Sequence, residues 1–306
     1  MLDAAPTAPR SPAPLVVGAP RTGPRVVAAL LALVAALGVH LTWQVFVGSE
    51  AGQRLDRLAL EGAQHGQHRL WTVAEPLLDV VSVSFVVLGI LTAMVVCLVR
   101  RRWVLAAQVA VLIGGSNATT QLLKDWVYDR PHLLPGWNGG NTLPSGHTTV
   151  AASVAVALLI AVPRTWRPAV ALLGAAWTAA TGISTLVGQW HRPSDVVAGV
   201  LVVAAWGAAA CALGTGSTLD VARRHGDGGL AAPGSYVAAG LLALGGAVAG
   251  FFAGVALVDL GTGARSVPFE GDVTAYAGGV AGVIAVTAFV FAALLLVRQA
   301  TARPDR

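Results

Sequence analysis

Residues 124–147 read KDWVYDRPHLLPGWNGGNTLPSGH, a polar loop set between two long apolar segments. Its first residue, Lys124, is the only lysine among 20 basic residues. A second polar island, GQWHRPSD at 188–195, follows after two further apolar segments. Loops this rich in His, Arg, Lys and Asp at the ends of apolar spans are characteristic of sites rather than spacers.

Working outward, composition names the solvent. The chain is 55% hydrophobic and 11% charged with a mean hydropathy of +0.69, against about 25% charged residues in soluble domains. This excludes a soluble globular protein and implies an all-α, polytopic membrane bundle. Apolar windows of span length fall at 26–47, 77–98, 103–123, 147–162, 168–189, 196–214, 235–258 and 273–297, about eight in all. The fourth is short at its apolar core and is expected to start within the polar loop or to tilt. The division expected is a disordered tail at 1–25, a six-span core at 26–214, a loop at 215–234, two additional spans at 235–298 and a tail at 299–306.

Arginine placement sets the topology. With a cytoplasmic N-terminus, thirteen of the 20 basic residues, among them Arg100, Arg101, Arg102, Arg164 and Arg167, share one side, and seven lie on the other. The positive-inside rule then places both termini in the cytoplasm and both polar islands on the extracytoplasmic face. The Arg100–Arg102 triplet reads as a stop-transfer anchor. No cleavable signal peptide is expected, because the first apolar run has span length. The basic character needs no nucleic-acid partner, since these topology arginines account for it.

Residues 48–76 carry mixed charges with Leu55, Leu58 and Leu60, as a short interfacial helix would. His65 and His68, three apart, suit a metal; with no further ligand cluster beside them they read as a solvated face. His40 stands alone in a span, as a packing or hydrogen-bonding residue. Cys97 and Cys211 both fall in spans, which indicates no disulfide framework. GGAVAG and AGGVAG in the last two spans permit close helix packing.

In NTLPSGHTTVAAS a Pro-Ser-Gly turn runs into an apolar helix. The backbone N–H groups of Ser145, Gly146 and His147 then lie at a helix start, a ready anion site. Ser145 alone would be an ordinary cap; His147 beside it, with Lys124 and Arg130 in the same loop, points to more. In WHRPSDVVAG, Pro193 suits a first helical turn, which puts Asp195 in that turn and His191 just ahead of it. A carboxylate bonded to one ring nitrogen of His191 would fix the tautomer and leave the other nitrogen free to attack. An arginine such as Arg130 suits bidentate phosphate binding.

Lys124 through Arg130-Pro131, then Pro144-Ser145-Gly146-His147, then Ser184 with His191 and Asp195, resemble the three-part signature of the type 2 phosphatidic acid phosphatase family. The likeness covers about residues 77–213 and implies a six-helix membrane core. Two departures stand out. Five residues separate Lys124 from Arg130, where the family has six, and Thr185 occupies the usual arginine position of the third motif. A threonine supplies one neutral hydrogen bond where arginine supplies two charge-assisted ones.

The resemblance implies that His191 attacks phosphorus, held by Asp195, while His147 protonates the leaving oxygen. Lys124, Arg130, Ser145, Gly146 and Arg192 would carry the phosphoryl charge, with Ser184 and Thr185 as minor donors. No metal or other cofactor is expected, since the cations take that place and the chain lacks an acidic cluster for magnesium. The expected substrate is a lipid phosphate or prenyl diphosphate lying in the bilayer. Trp126, Tyr128, Trp137 and Trp190 are candidates for a lipid-facing mouth or for interfacial belt anchors. Two alternatives stay open: a phosphotransferase using His191, and a lipid-phosphate-binding protein weakened in catalysis by Thr185.

Overall fold

The computed structural model describes residues 20–80, 83–135, 140–220, 233–263 and 270–303. Residues 1–19, Trp137, His225 and the other residues between and after these segments lie outside them. Ten α-helices run through the described residues: α1 Thr22–Phe46, α2 Glu50–Gly62, α3 Gln67–Val80, α4 Val83–Val99, α5 Trp103–Leu122, α6 Gly146–Ala161, α7 Arg167–Val187, α8 Pro193–Ala212, α9 Pro233–Thr262 and α10 Gly271–Thr301. Of these, α1, α7, α8, α9 and α10 are long and apolar enough to cross a membrane, and Val87–Val99 and Gly146–Ala161 are shorter apolar helices.

The surface confirms the solvent. α1 exposes Leu30, Leu33, Leu37 and Leu41, and α9 exposes Phe251 and Phe252, each more than half accessible. Unbroken apolar faces on helices whose backbone bonds are satisfied internally belong in a bilayer. The protein is an integral membrane helical bundle. At its centre stands α6, buried along nearly its whole length and packed by α4, α5, α7 and α8.

Several sequence boundaries shift. α1 starts at Thr22, inside the expected tail. The described residues of the expected span at 77–98 lie in α3 and α4, and 81–82 are outside the described residues. The final tail is also shorter than expected, because α10 continues to Thr301 with Arg298, Gln299 and Thr301 buried. The last two helices are not alike: α9 is peripheral, whereas α10 packs on α2, α7 and α8 as well as on α9. Phe291 of α10 is fully buried, and a Cβ on Gly174 of α7 would approach its ring to 2.8 Å. That small residue lets α10 into the core. Gly246, Gly278 and Gly279 likewise make close contacts, but Gly245 of the GGAVAG stretch meets nothing within 4 Å.

The arginine-rich end has a second use. Helix C-termini leave carbonyls without partners, and arginines take them: Arg25 donates to Ala212 O at 2.7 Å, Arg100 to Ala161 O at 2.8 Å and Arg298 to Ile160 O at 3.2 Å. Arg167, with no exposed surface, makes a bidentate pair with Asp220 at 2.8 and 2.9 Å and also reaches Gln299. Two members of the Arg100–Arg102 triplet thus bind helix or loop carbonyls.

Candidate functional site

At the opposite end, three chain segments meet. The α5 helix continues into a π turn, Leu123–Val127, which carries Lys124. Ser145 caps α6, its side-chain oxygen accepting from Thr148 N at 3.3 Å. Pro193 opens α8, and the Arg192 backbone N–H donates to Asp195 Oδ2 at 3.0 Å. The Ser145 N–H donates to Asp195 O at 2.8 Å, which joins the start of α6 to the first turn of α8. Their approach is close: a Cβ on Gly199 would lie 2.9 Å from Ser145 O.

His191 and Asp195 come together as expected, but not alone. Their direct Nδ1···Oδ2 distance is 3.3 Å, while Thr142 Oγ1 stands 2.6 Å from Asp195 Oδ2 and 2.8 Å from His191 Nδ1. A carboxylate only accepts, so the single Thr142 hydrogen goes to Asp195 and its oxygen accepts from Nδ1–H. This arrangement keeps the proton on Nδ1 and leaves Nε2 with its lone pair. Asp195 is wholly buried and His191 nearly so. Thr142 was missed in the sequence because nothing local marks it; only the fold brings it to a helix 50 residues on.

His147 is exposed, with its ring 5.9 Å from that of His191 and 5.5 Å from Trp190. Burial pulls the Lys124 ammonium below its usual range, opposed by the charge of Asp195 and reinforced by Arg130. Arg130 donates to Lys124 O at 2.6 Å and Leu143 O at 3.3 Å, and Arg192 donates to Gly140 O at 3.0 Å. Both guanidiniums thus brace the loop as well as bringing charge. A Cβ on Gly146 would meet only Gln121 Nε2, at 3.9 Å. Protein packing does not require glycine there, and the N–H groups of this helix start suit an anion.

The third-motif residues differ from expectation. Thr185 Oγ1 donates to Gly182 O at 2.6 Å within α7, so its hydrogen is not directed at an anion. Its carbonyl instead accepts from Trp190 N and His191 N, holding the turn before α8. Ser184 is buried beside it. Tyr128 stacks on Trp43 at 4.9 Å, next to His40, and the Trp43 indole donates to Asp129 O. Trp126, 84% exposed, faces outward, while Trp190 packs against Trp71 and His147.

The helix α2 lies across this end and ties the segments together. Gln53 donates to Val47 O and Pro131 O, both at 2.7 Å, and accepts from Leu133 N, gripping the loop that holds Arg130. Gln189 donates to Leu60 O at 2.7 Å. Asp56 accepts a short hydrogen bond from Ser194 in the first turn of α8. Where a short interfacial helix was expected, α2 buries Gln53, Asp56 and Ala59 against the bundle, while His65, His68 and Arg69 beyond it stay exposed. The amphipathic pattern was visible in the sequence, but not which partner its polar residues would take. His65 also gains neighbours: Nδ1 is 3.5 Å from Asp272 Oδ2 and Nε2 is 3.9 Å from Glu270 Oε2. His68 is not part of that group.

Asp56 is 2% exposed. Burial, with the Asp195 charge adding to it, pushes its carboxyl up from 3.8 to about 8, against Ser194 and Arg192, which lower it. Between these values the folded protein keeps a proton that the unfolded chain releases. Stability from Asp56 is therefore full below 3.8 and is lost as pH rises through about 8. Thermal unfolding at about pH 6 and pH 9 is expected to show a lower midpoint at the higher pH for wild type. Asp56→Asn, always neutral, is expected to lose most of that difference; an equal fall in the variant would contradict the assignment.

The model of the PAP2 superfamily matches residues 105–216, from α5 to just past α8. Among solved structures, the chain is similar to the first transmembrane PAP2 type phosphatidylglycerolphosphate phosphatase from Bacillus subtilis, at 21% identity over 60% of this chain and 91% of that one, with a TM-score of 0.44. No curated protein matches the chain.

Proposed function

We propose that the protein is a membrane-embedded phosphatase that removes phosphate from a lipid phosphate or prenyl diphosphate at the extracytoplasmic face, through a phosphohistidine on His191 and without a metal. The observation that carries this reading is the His191–Thr142–Asp195 chain, which leaves Nε2 free beside His147. The PAP2 match over the same segments supports it.

His191 Nε2 attacks phosphorus, forming a P–N bond as the P–O bond to the lipid breaks. The leaving oxygen takes its proton from His147, and Nδ1–H stays on Thr142 and Asp195. Water then attacks the phosphohistidine, returns a proton to His147 and releases phosphate. Lys124, Arg130 and the Gly146 N–H stabilise the equatorial oxygens, and Arg192 adds positive charge from the loop. This reading takes α1 and α4–α10 as eight spans, with both termini cytoplasmic. One observation favours the binding-protein alternative: the Thr185 hydroxyl is committed to Gly182 O.

Phosphate release is measured with purified protein and chelator on phosphatidic acid, phosphatidylglycerol phosphate and prenyl diphosphates. Chelator-resistant release supports the proposal. Binding without release moves the assignment to the alternative, and an acceptor-dependent product to a phosphotransferase. In active protein, Thr142→Val is expected to lower kcat roughly tenfold to a hundredfold with little change in KM, as for one hydrogen bond to a charged group worth about 1.5–3 kcal/mol. An unchanged kcat would remove Thr142 from the chain.

A further inference from the structure

Beside the cationic site the bundle contains a cleft that the PAP2 segment does not build by itself. It encloses about 130 Å³ between α1, α2, α8, α9 and α10, close to the roughly 150 Å³ of an apolar cavity that takes up benzene. Its walls are apolar apart from Thr42, Asp56 and Ser194. On α10 the lining residues run from Ala275 to Gly282, about 10 Å along the helix at 1.5 Å per residue. A narrow crevice of about 10 Å³, lined by Arg130, His132, Asn141 and Arg192, shares two of its walls, Phe46 and Asp56.

An apolar cleft that adjoins a cationic crevice through common walls matches one kind of molecule, an amphiphile with an anionic head. We infer that the cleft between α1, α8, α9 and α10 holds the hydrocarbon chain of the phosphorylated substrate while its phosphate lies with the cations of the polar loops. The inference rests on the proposed phosphatase reading and extends it. It gives the two C-terminal helices, outside the matched residues 105–216, the task of selecting the chain. Asp56, bonded to Ser194, forms the boundary between the cleft and the crevice. Asp56 is the one titratable residue that lines the cleft, and it keeps its proton below about 8, so an apolar chain there desolvates no charge at neutral pH.

The position that tests this is Gly282. A Cβ there meets only Ala253 Cβ, at 3.9 Å, so a larger side chain grows into the cleft. Gly245 on α9 is exposed, outside the cleft, and meets nothing within 4 Å; Gly245→Leu is the control. Protein in lipid nanodiscs is assayed on a series of water-soluble alkyl phosphates from butyl to decyl. Each methylene that enters the cleft from water is expected to raise kcat/KM by up to about fourfold. Gly282→Leu is expected to flatten that rise at least tenfold across the series, while Gly245→Leu keeps the wild-type slope. A decyl phosphate carrying a terminal diazirine is expected to label α9 or α10 lining residues such as Leu257 in wild type and not in Gly282→Leu.

The labelling reads binding without turnover. Labelled cleft residues without hydrolysis would overturn the phosphatase reading alone. Hydrolysis with an unlabelled cleft and an unchanged slope in Gly282→Leu would overturn the cleft assignment alone. A change in oligomeric mass of Gly282→Leu with the slope kept would assign the cleft to a second copy and also overturn it.

Discussion

Purified protein carrying His191→Ala is expected to release no phosphate from any lipid phosphate that wild type hydrolyses, a loss on the order of 10⁴-fold or more. Asp195 Oδ2 accepts from Thr142 at 2.6 Å and from the Arg192 backbone at 3.0 Å, and Thr142 stands 2.8 Å from His191 Nδ1. The network therefore holds the ring by one nitrogen and offers the other. Alanine removes the nucleophile but none of the backbone bonds that set the turn, since His191 N and Trp190 N both donate to Thr185 O. The variant is accordingly expected to unfold close to the wild-type temperature while losing turnover. Phosphate release at a tenth of the wild-type rate or more would remove His191 from the chemistry.

Arg167→Ala is expected to destabilise the protein by about 3–5 kcal/mol, the usual result when one partner of a buried ion pair is removed. Arg167 is wholly buried, binds both Asp220 oxygens and reaches Gln299 of α10. Alanine leaves the Asp220 carboxylate, 8% exposed, without its countercharge. The double variant Arg167→Met with Asp220→Leu is expected to regain at least half of the loss, because replacing the pair by apolar groups avoids that stranded charge. Denaturant or thermal unfolding of the solubilised protein reads both. A single variant as stable as wild type would show that α10 is anchored elsewhere.

How far the sequence could be read followed from how local each feature is. The PSGH turn and the HRPSD turn are each contained within a few residues, and their helix-start character is written in Ser145 and Pro193 themselves. The helix order was likewise visible, because each apolar run carries its own length. Thr142, Gln53 and Asp56 were hidden, since their partners lie 53, 78 and 138 residues away. A signal existed for Asp56: an acidic residue set beside Leu55 and Ala59 on the apolar side of an amphipathic helix. Thr185 misled for a different reason. A threonine in a helix can turn its hydroxyl back on its own backbone, and motif position alone does not reveal that it does. The depth of α10 was hidden too, as an apolar helix reads the same whether it faces lipid or Gly174.

The central claim is a covalent phosphate on one histidine, and rapid acid-free quenching of the reaction with a radiolabelled lipid phosphate tests it most directly. The account predicts protein-bound label that survives alkali, is lost in acid, maps to His191 and is absent from His191→Ala. Steady turnover with no label on His191, or label that persists in the variant, would contradict it.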